Sequence, residues 1–223
     1  MSARDSAHRV VAIDGPAASG KSSVARALAK QIGFDYVNSG AMYRAVTWHV
    51  LENKVPPGDA AAIVRLLDTT RIDCRLDGEG SHILIDGADP TPHLCEDRVN
   101  AEVSLVSSVP RLREILVEKL RGYARDHDIV MEGRDIGSVV FPDTPYKFYI
   151  DASPEVRLRR RQAQGLRDQI AARDRADSSR RASPLIIAED AHVIDSSNLT
   201  IEGVVGEIIG RLKMKGMEIP SRF

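Results

Sequence analysis

The chain has 223 residues, of which 43% are hydrophobic and 28% charged, a balance that supports a packed core and excludes the disordered and fibrous classes. Its 31 Lys and Arg meet 32 Asp and Glu, and the formal net charge of -1 argues against bulk electrostatic attraction to nucleic acid or an anionic membrane. The length suits one principal domain with room for small insertions. Two cysteines, Cys74 and Cys95, have no metal-ligand spacing and suit a reducing, cytoplasmic setting. Met1 to Arg9 is polar, and the apolar run behind it, Val10 to Ile13, is too short for an export signal or a membrane span.

In chain order, Val10 to Ile13 reads as a buried parallel strand, followed by a Gly-rich turn and the helix formers Val24 to Gln31. The turn, Gly15-Pro16-Ala17-Ala18-Ser19-Gly20-Lys21-Ser22, matches the phosphate-loop pattern in the strand-to-helix context that the pattern requires. Small residues let backbone N–H groups turn inward around phosphates, and the helix start adds the positive end of its dipole. Lys21 reaches the terminal phosphates and Ser22 offers its hydroxyl to Mg2+. With Ser23 these residues form the candidate ATP site.

Phe34 to Val37 is a short apolar segment before Ser39, and Ala41 to Val50 has helical periodicity that Pro56-Pro57-Gly58 ends. Ser39 at the helix start and Arg44 between one and two turns later can face a single anion; a plain cap and a solvated arginine are the alternative. Asp59 caps a short helix to Leu67. From Arg71 to Ala88, alternation around Asp77-Gly78-Glu79-Gly80 predicts an antiparallel hairpin, inserted rather than part of the main sheet.

Val99 to Val109 reads as helix, Pro110 opens another through Ala124, and Ile129 to Met131 and Lys147 to Ile150 read as strands. Glu132-Gly133-Arg134-Asp135-Ile136-Gly137 follows directly on the first of these strands, where open parallel sheets gather their ligands. A charged turn closed by local salt bridges is the alternative there. Ser153-Pro154-Glu155 opens a helix carrying Arg157, Arg159, Arg160 and Arg161, with Arg167, Arg173, Arg175, Arg180 and Arg181 behind it. Such an excess suits the spread charge of a phosphoryl group in transfer, delivered by a closing lid. A solvated basic helix or an RNA-contacting patch is the alternative, and the aromatics that favour RNA are absent. Val193-Ile194 is the last strand, and Thr200 to Met214 is an amphipathic helix. Strands alternating with helices predict an α/β fold with three layers, a parallel sheet between two sheets of helices. The six histidines form no spaced pair and receive no role.

Taken together and in order, the motifs resemble the bacterial cytidylate kinases, a branch of the nucleoside monophosphate kinases, over nearly the whole chain. They are Ile13-Asp14-Gly15-Pro16 leading into the phosphate loop, Ser39-Gly40-Ala41-Met42-Tyr43-Arg44, and Ser107-Ser108-Val109-Pro110 before Arg113. Glu132 to Gly137, Val139-Val140-Phe141-Pro142-Asp143, Arg173-Asp174 with Asp177-Ser178-Ser179-Arg180, and Ser183-Pro184-Leu185 complete the set.

The resemblance implies a P-loop NTPase-like fold and Mg-ATP-dependent phosphorylation of CMP and dCMP, with ATP and Mg2+ as cofactors. It implies that Ser39, Arg44 and Arg134 hold the acceptor phosphate, that Ser104, Arg113 and Asp135 read the base, and that Asp177 and Arg180 contact the sugar. Asp177 and Arg180, one helical turn apart, can also simply pair with each other. Lys21, Arg134, Arg157 and Arg161 are the expected catalytic cations. Glu132 is expected to anchor a metal-bound water beside Ser22, the alternative being a salt bridge to Arg134. The expected layout is a single domain: core 9–38, a monophosphate-binding region with the hairpin 39–108, core 109–156, a short lid 157–181 and core 182–223. Gln162 to Arg167 is shorter than the family pattern, which bears on the lid's length and on which arginines act. The expected partners are small molecules only, with no nucleic acid or membrane, and the expected state is a monomer. A P-loop kinase for another small acceptor (UMP, AMP or a hydroxy acid) and a non-catalytic nucleotide-binding module are the competing readings.

Overall fold

In the computed structural model, which describes residues 8–76, 80–163, 174–175, 177–179 and 183–219, strands alternate with helices. The strands are β1 (Val10–Asp14), β2 (Asp35–Asn38), β3 (Ile72–Leu76), β4 (Ser81–Ile85), β5 (Ile129–Gly133), β6 (Tyr146–Asp151) and β7 (His192–Asp195). The helices are α1 (Lys21–Ile32), α2 (Ser39–Glu52), α3 (Ala60–Leu67), α4 (Asp97–Val106), α5 (Pro110–Tyr123), α6 (Pro154–Ala163) and α7 (Ile201–Met214). Five strands form one parallel sheet in the order β2-β5-β1-β6-β7. β3 and β4 form a separate two-stranded sheet, antiparallel, with Ile72 opposite Ile85 and Leu76 opposite Ser81.

Successive residues of a strand project to opposite faces, so an unbroken apolar run requires cover on both. β1 shows this. Val10 and Ala12 enter a core with Met42, Ile63 and Leu116 from α2, α3 and α5, while Val11 and Ile13 enter a second core with Leu28 of α1 and Val204 and Ile208 of α7. The sheet thus lies between two helical layers, the three-layer α/β arrangement expected. No helix among the described residues is long and apolar enough to cross a membrane.

One helix end and one cap differ from expectation. α4 runs from Asp97 to Val106 rather than on to Val109, because Pro110 holds the residue before it in extended backbone (Val109 φ -67°, ψ 116°). The cap of α2 is Asn38, whose side chain accepts from the Ala41 amide at 3.0 Å, so Ser39 is left to bond elsewhere. The turn at 77–79, the lid segment 164–173 and residues 180–182 lie outside the described residues, and with them Arg167, Arg173, Arg180 and Arg181.

All strands of the main sheet point the same way, so the segments that leave them emerge along one edge. The β1–α1 loop, the start of α2, the turn after β5 and Ser196 after β7 therefore share a neighbourhood.

Candidate active site

The loop between β1 and α1 owes its shape to two glycines. A Cβ on Gly15 would lie 2.1 Å from the Ile150 carbonyl oxygen, and Gly20 takes φ 89° to cap α1. Lys21 is buried and its Nζ donates to the Pro16 carbonyl at 2.9 Å, a fold-back that keeps the ammonium over the loop. Ser19 Oγ, within the loop, is buried and has no hydrogen-bond partner among the described residues.

Ser22, in the first turn of α1, donates to Glu132 Oε1 at 2.8 Å, and the Tyr36 hydroxyl donates to the same oxygen at 3.2 Å. Burial, reinforced by the Glu132 charge, holds the Tyr36 phenol above its ordinary range, so it remains a donor. Glu132 therefore hydrogen-bonds to the start of α1, while its charge also bears on Arg134. A hydroxyl and a carboxylate are hard oxygen donors, and at a helix start beside a phosphate loop they fit Mg2+.

A cavity of about 560 Å3 extends from this loop to a second group of cations, within the size range of small-molecule sites. On its far side Ser39 donates to the Glu132 carbonyl at 2.8 Å, an approach open only because residue 133 is glycine; a Cβ there would sit 2.5 Å from Ser39 Oγ. Arg44 lines the cavity. Desolvation lowers its pKa, Glu132 and Cys95 act against that, and Arg134 and Arg161 add to it. Arg134 donates to Asp177 Oδ2 and to the Gly15 carbonyl, each at 3.0 Å, and burial lowers its pKa against the surrounding carboxylates. Two desolvated guanidiniums, Arg44 and Arg134, around one space that Arg161 also lines create strong demand for an anion.

Beside them, Arg113 and Asp135 form a hydrogen-bonded pair with side chains each 4% exposed. Arg113 also donates to the Ser107 carbonyl at 3.1 Å and lies 5.0 Å from the centre of the Tyr43 ring. Its Nε has no partner among the described residues. Ser104 donates to Asp177 Oδ1 at 3.0 Å, so Asp177 bridges α4 and Arg134.

Helix α6 presents Arg157, Arg160 and Arg161 inward and leaves Leu158 and Arg159 exposed, as i, i+3, i+4 spacing dictates. Arg161 lines the cavity. Arg157 does not; it pairs with Asp174 and donates to the Ala152 and Ala17 carbonyls at 3.1 and 3.2 Å. Asp174 in turn accepts from the Ala17 amide at 3.1 Å.

Arg160 carries a role that sequence reasoning did not give it. It donates to the Ser19 carbonyl at 3.1 Å, to Ser196 Oγ at 3.1 Å and to the Ser196 carbonyl at 2.8 Å, while Ser196 Oγ donates to Ser19 at 2.8 Å. Its partners are mainly backbone carbonyls far along the chain, so only its helical spacing from Arg157 marked its face.

A phosphate loop by itself requires only a bound nucleotide. A second cationic cluster opening on the same cavity requires another anion to be brought up to the first, and this geometry defines a P-loop phosphotransferase. The cytidylate kinase family model matches residues 11–214. The cytidylate kinase of Pelotomaculum thermopropionicum is 44% identical, covering 91% of this chain and 95% of the relative. Those of Caldanaerobacter subterraneus subsp. tengcongensis and a Geobacillus strain are 43% and 40% identical, each covering 89% of this chain and 92% and 94% of the relatives. The chain belongs to the cytidylate kinase family.

Proposed function

We propose that this chain transfers the terminal phosphoryl group of Mg-ATP to the phosphate of CMP and dCMP, giving ADP with CDP or dCDP. The observation that carries the reading is the buried Arg113–Asp135 pair in a cavity that also contains the phosphate loop. Cytosine offers an amine donor beside two acceptors, and a carboxylate set against a guanidinium complements it, with the Ser104 hydroxyl as a second donor once it exchanges its bond to Asp177 for the base. Uracil presents a carbonyl where the amine would be, opposing acceptor to acceptor at Asp135.

In this reading Ser39, Arg44 and Arg134 hold the acceptor phosphate, and Asp177 and Arg180 take the sugar. An oxygen of the acceptor phosphate forms the new bond to the terminal phosphorus of ATP as the bond to the bridging oxygen breaks, and ADP leaves with that electron pair. Lys21, Arg134 and Arg161 surround the group in transit, and Arg157 steadies the loop by its bonds to Ala17 and Asp174. Ser22 would hold Mg2+ directly and Glu132 through water, and the ion would supply positive charge to offset that of the phosphates. Residues 39–108 form the acceptor-binding region, 157–181 the lid, and 9–38, 109–156 and 182–223 the core. We read the protein as a monomer, and its two cysteines, which lack metal-ligand spacing, support a reducing cytoplasm.

The test is ADP formation from Mg-ATP with CMP, dCMP, UMP, AMP and no acceptor, in parallel. CMP and dCMP should exceed the others by about tenfold or more in kcat/KM. A different preferred acceptor overturns the base assignment, and tight ATP binding with no acceptor phosphorylated overturns the kinase reading.

A further inference from the structure

The reaction as drawn leaves one buried carboxylate without a task. Asp14 ends β1, adjoins Gly15 and is 5% exposed, yet it lies outside the loop motif and outside the base-reading pair. Both its oxygens are spent on backbone: Oδ1 accepts from the Ile136 amide and Oδ2 from the Gly137 amide, each at 2.8 Å. These are the two residues immediately after Asp135.

The segment they open, Ile136–Val140, is a single π-helical turn, a wide geometry that concentrates at functional sites. Val139 and Val140 donate to the Asp135 carbonyl at 2.9 and 3.1 Å, and Phe141 to the Ile136 carbonyl at 2.7 Å. The carbonyls at the turn's far end are held from the other side, by Arg121 of α5, whose Nε reaches Val140 at 2.7 Å and whose Nη2 reaches Val139 at 2.9 Å. The Asp14 side chain thus accepts from the turn's leading amides and a guanidinium donates to its trailing carbonyls, so both ends of the turn are tied to fixed elements. Arg121 stands eight residues after Arg113 on one helix, so the group that steadies the turn and the group that pairs with Asp135 share a rigid support.

We propose that Asp14 and Arg121 are positioning residues for acceptor selection, clamping between them the turn that carries Asp135 and fixing its distance from the phosphate loop. The proposal rests on the reading of Asp135 as the base-reading group. It predicts a division of effects that loss of general stability would not produce, because the clamp bears on the acceptor base and not on ATP.

The test compares Asp14→Asn and Arg121→Ala with the wild type in kinetics with CMP and UMP at saturating ATP, in KM for ATP at saturating CMP, and in thermal melting. Asparagine opposes an amine to one of the two backbone amides, and alanine frees the trailing carbonyls. Each variant should raise KM for CMP about tenfold and shrink the CMP-over-UMP ratio of kcat/KM by a similar factor, with KM for ATP within about twofold of wild type. Lower melting temperature with unchanged acceptor kinetics overturns the proposal, as does a KM for ATP that rises in step with that for CMP. If Asp14→Asn fails to fold, Arg121→Ala, at a partly exposed side chain, decides by the same criteria. A wild type without preference for CMP over UMP overturns the reading of Asp135 itself, before any variant is compared.

Discussion

Asp135 and Arg113 form a buried ion pair whose members serve each other as much as any ligand, and that governs how either can be probed. Truncating Asp135 to alanine would strand the Arg113 guanidinium in a site that is almost closed to water, at a cost of about 3–5 kcal/mol to the fold. Asp135→Asn keeps the volume and one acceptor oxygen while presenting an amide donor, which suits the uracil carbonyl better than the cytosine amine. The CMP-over-UMP ratio of kcat/KM should fall by about 10–100-fold in this variant, with melting changed far less than in Asp135→Ala. Equal losses for the two acceptors would refute the base-reading role. At this scale the phosphate loop was legible in the sequence, because phosphate is gripped by backbone and a backbone shape demands a fixed string of small residues. Asp14 was not: its partners are two amides more than a hundred residues away, and an amide belongs to any residue type but proline.

At the scale of elements, the strands and helices were legible wherever period and punctuation agreed. Pro110 both ends one helix by constraining Val109 and starts the next, a double effect that a reading by apolar spacing places three residues too late. Helix α6 shows the opposite case. Its arginines were visible as a cluster, but which of them meets the phosphate loop depends on where β7 ends, and Ser196 follows β7 directly. Arg160 ties the body of α6 to the loop through Ser19 and to the β7 end through Ser196, so it sets the spacing between the arginine helix and the ATP phosphates. Arg160→Ala removes all three of these bonds and should raise KM for ATP by about tenfold or more, a loss of at least about 1.4 kcal/mol, and leave KM for CMP within about twofold. An unchanged KM for ATP, measured at saturating CMP, would show that α6 is held by other contacts.

At the scale of the molecule, a parallel sheet with β1 between β5 and β6 sends its loops to one edge, and everything anionic or cationic that matters collects there. The price of that convergence is buried charge, and Asp14 shows it most sharply. Burial pushes its carboxyl up to about 7, with the amides of Gly137 and Ile136 offsetting only part of the desolvation and Asp135 adding to it. The ordinary value is 3.8, so between about pH 4 and pH 7 the folded chain holds a proton at Asp14 that the unfolded chain has released. The native state then binds more protons than the unfolded state, and the contribution of this group to stability falls as pH rises through that window. Asn at position 14 cannot titrate, so the melting temperature of the wild type relative to Asp14→Asn should decline by several degrees between pH 5 and pH 8, corresponding to about 2 kcal/mol. A difference that stays constant across that range would mean that Asp14 is ionised throughout, with its two amide bonds outweighing the cost of burial.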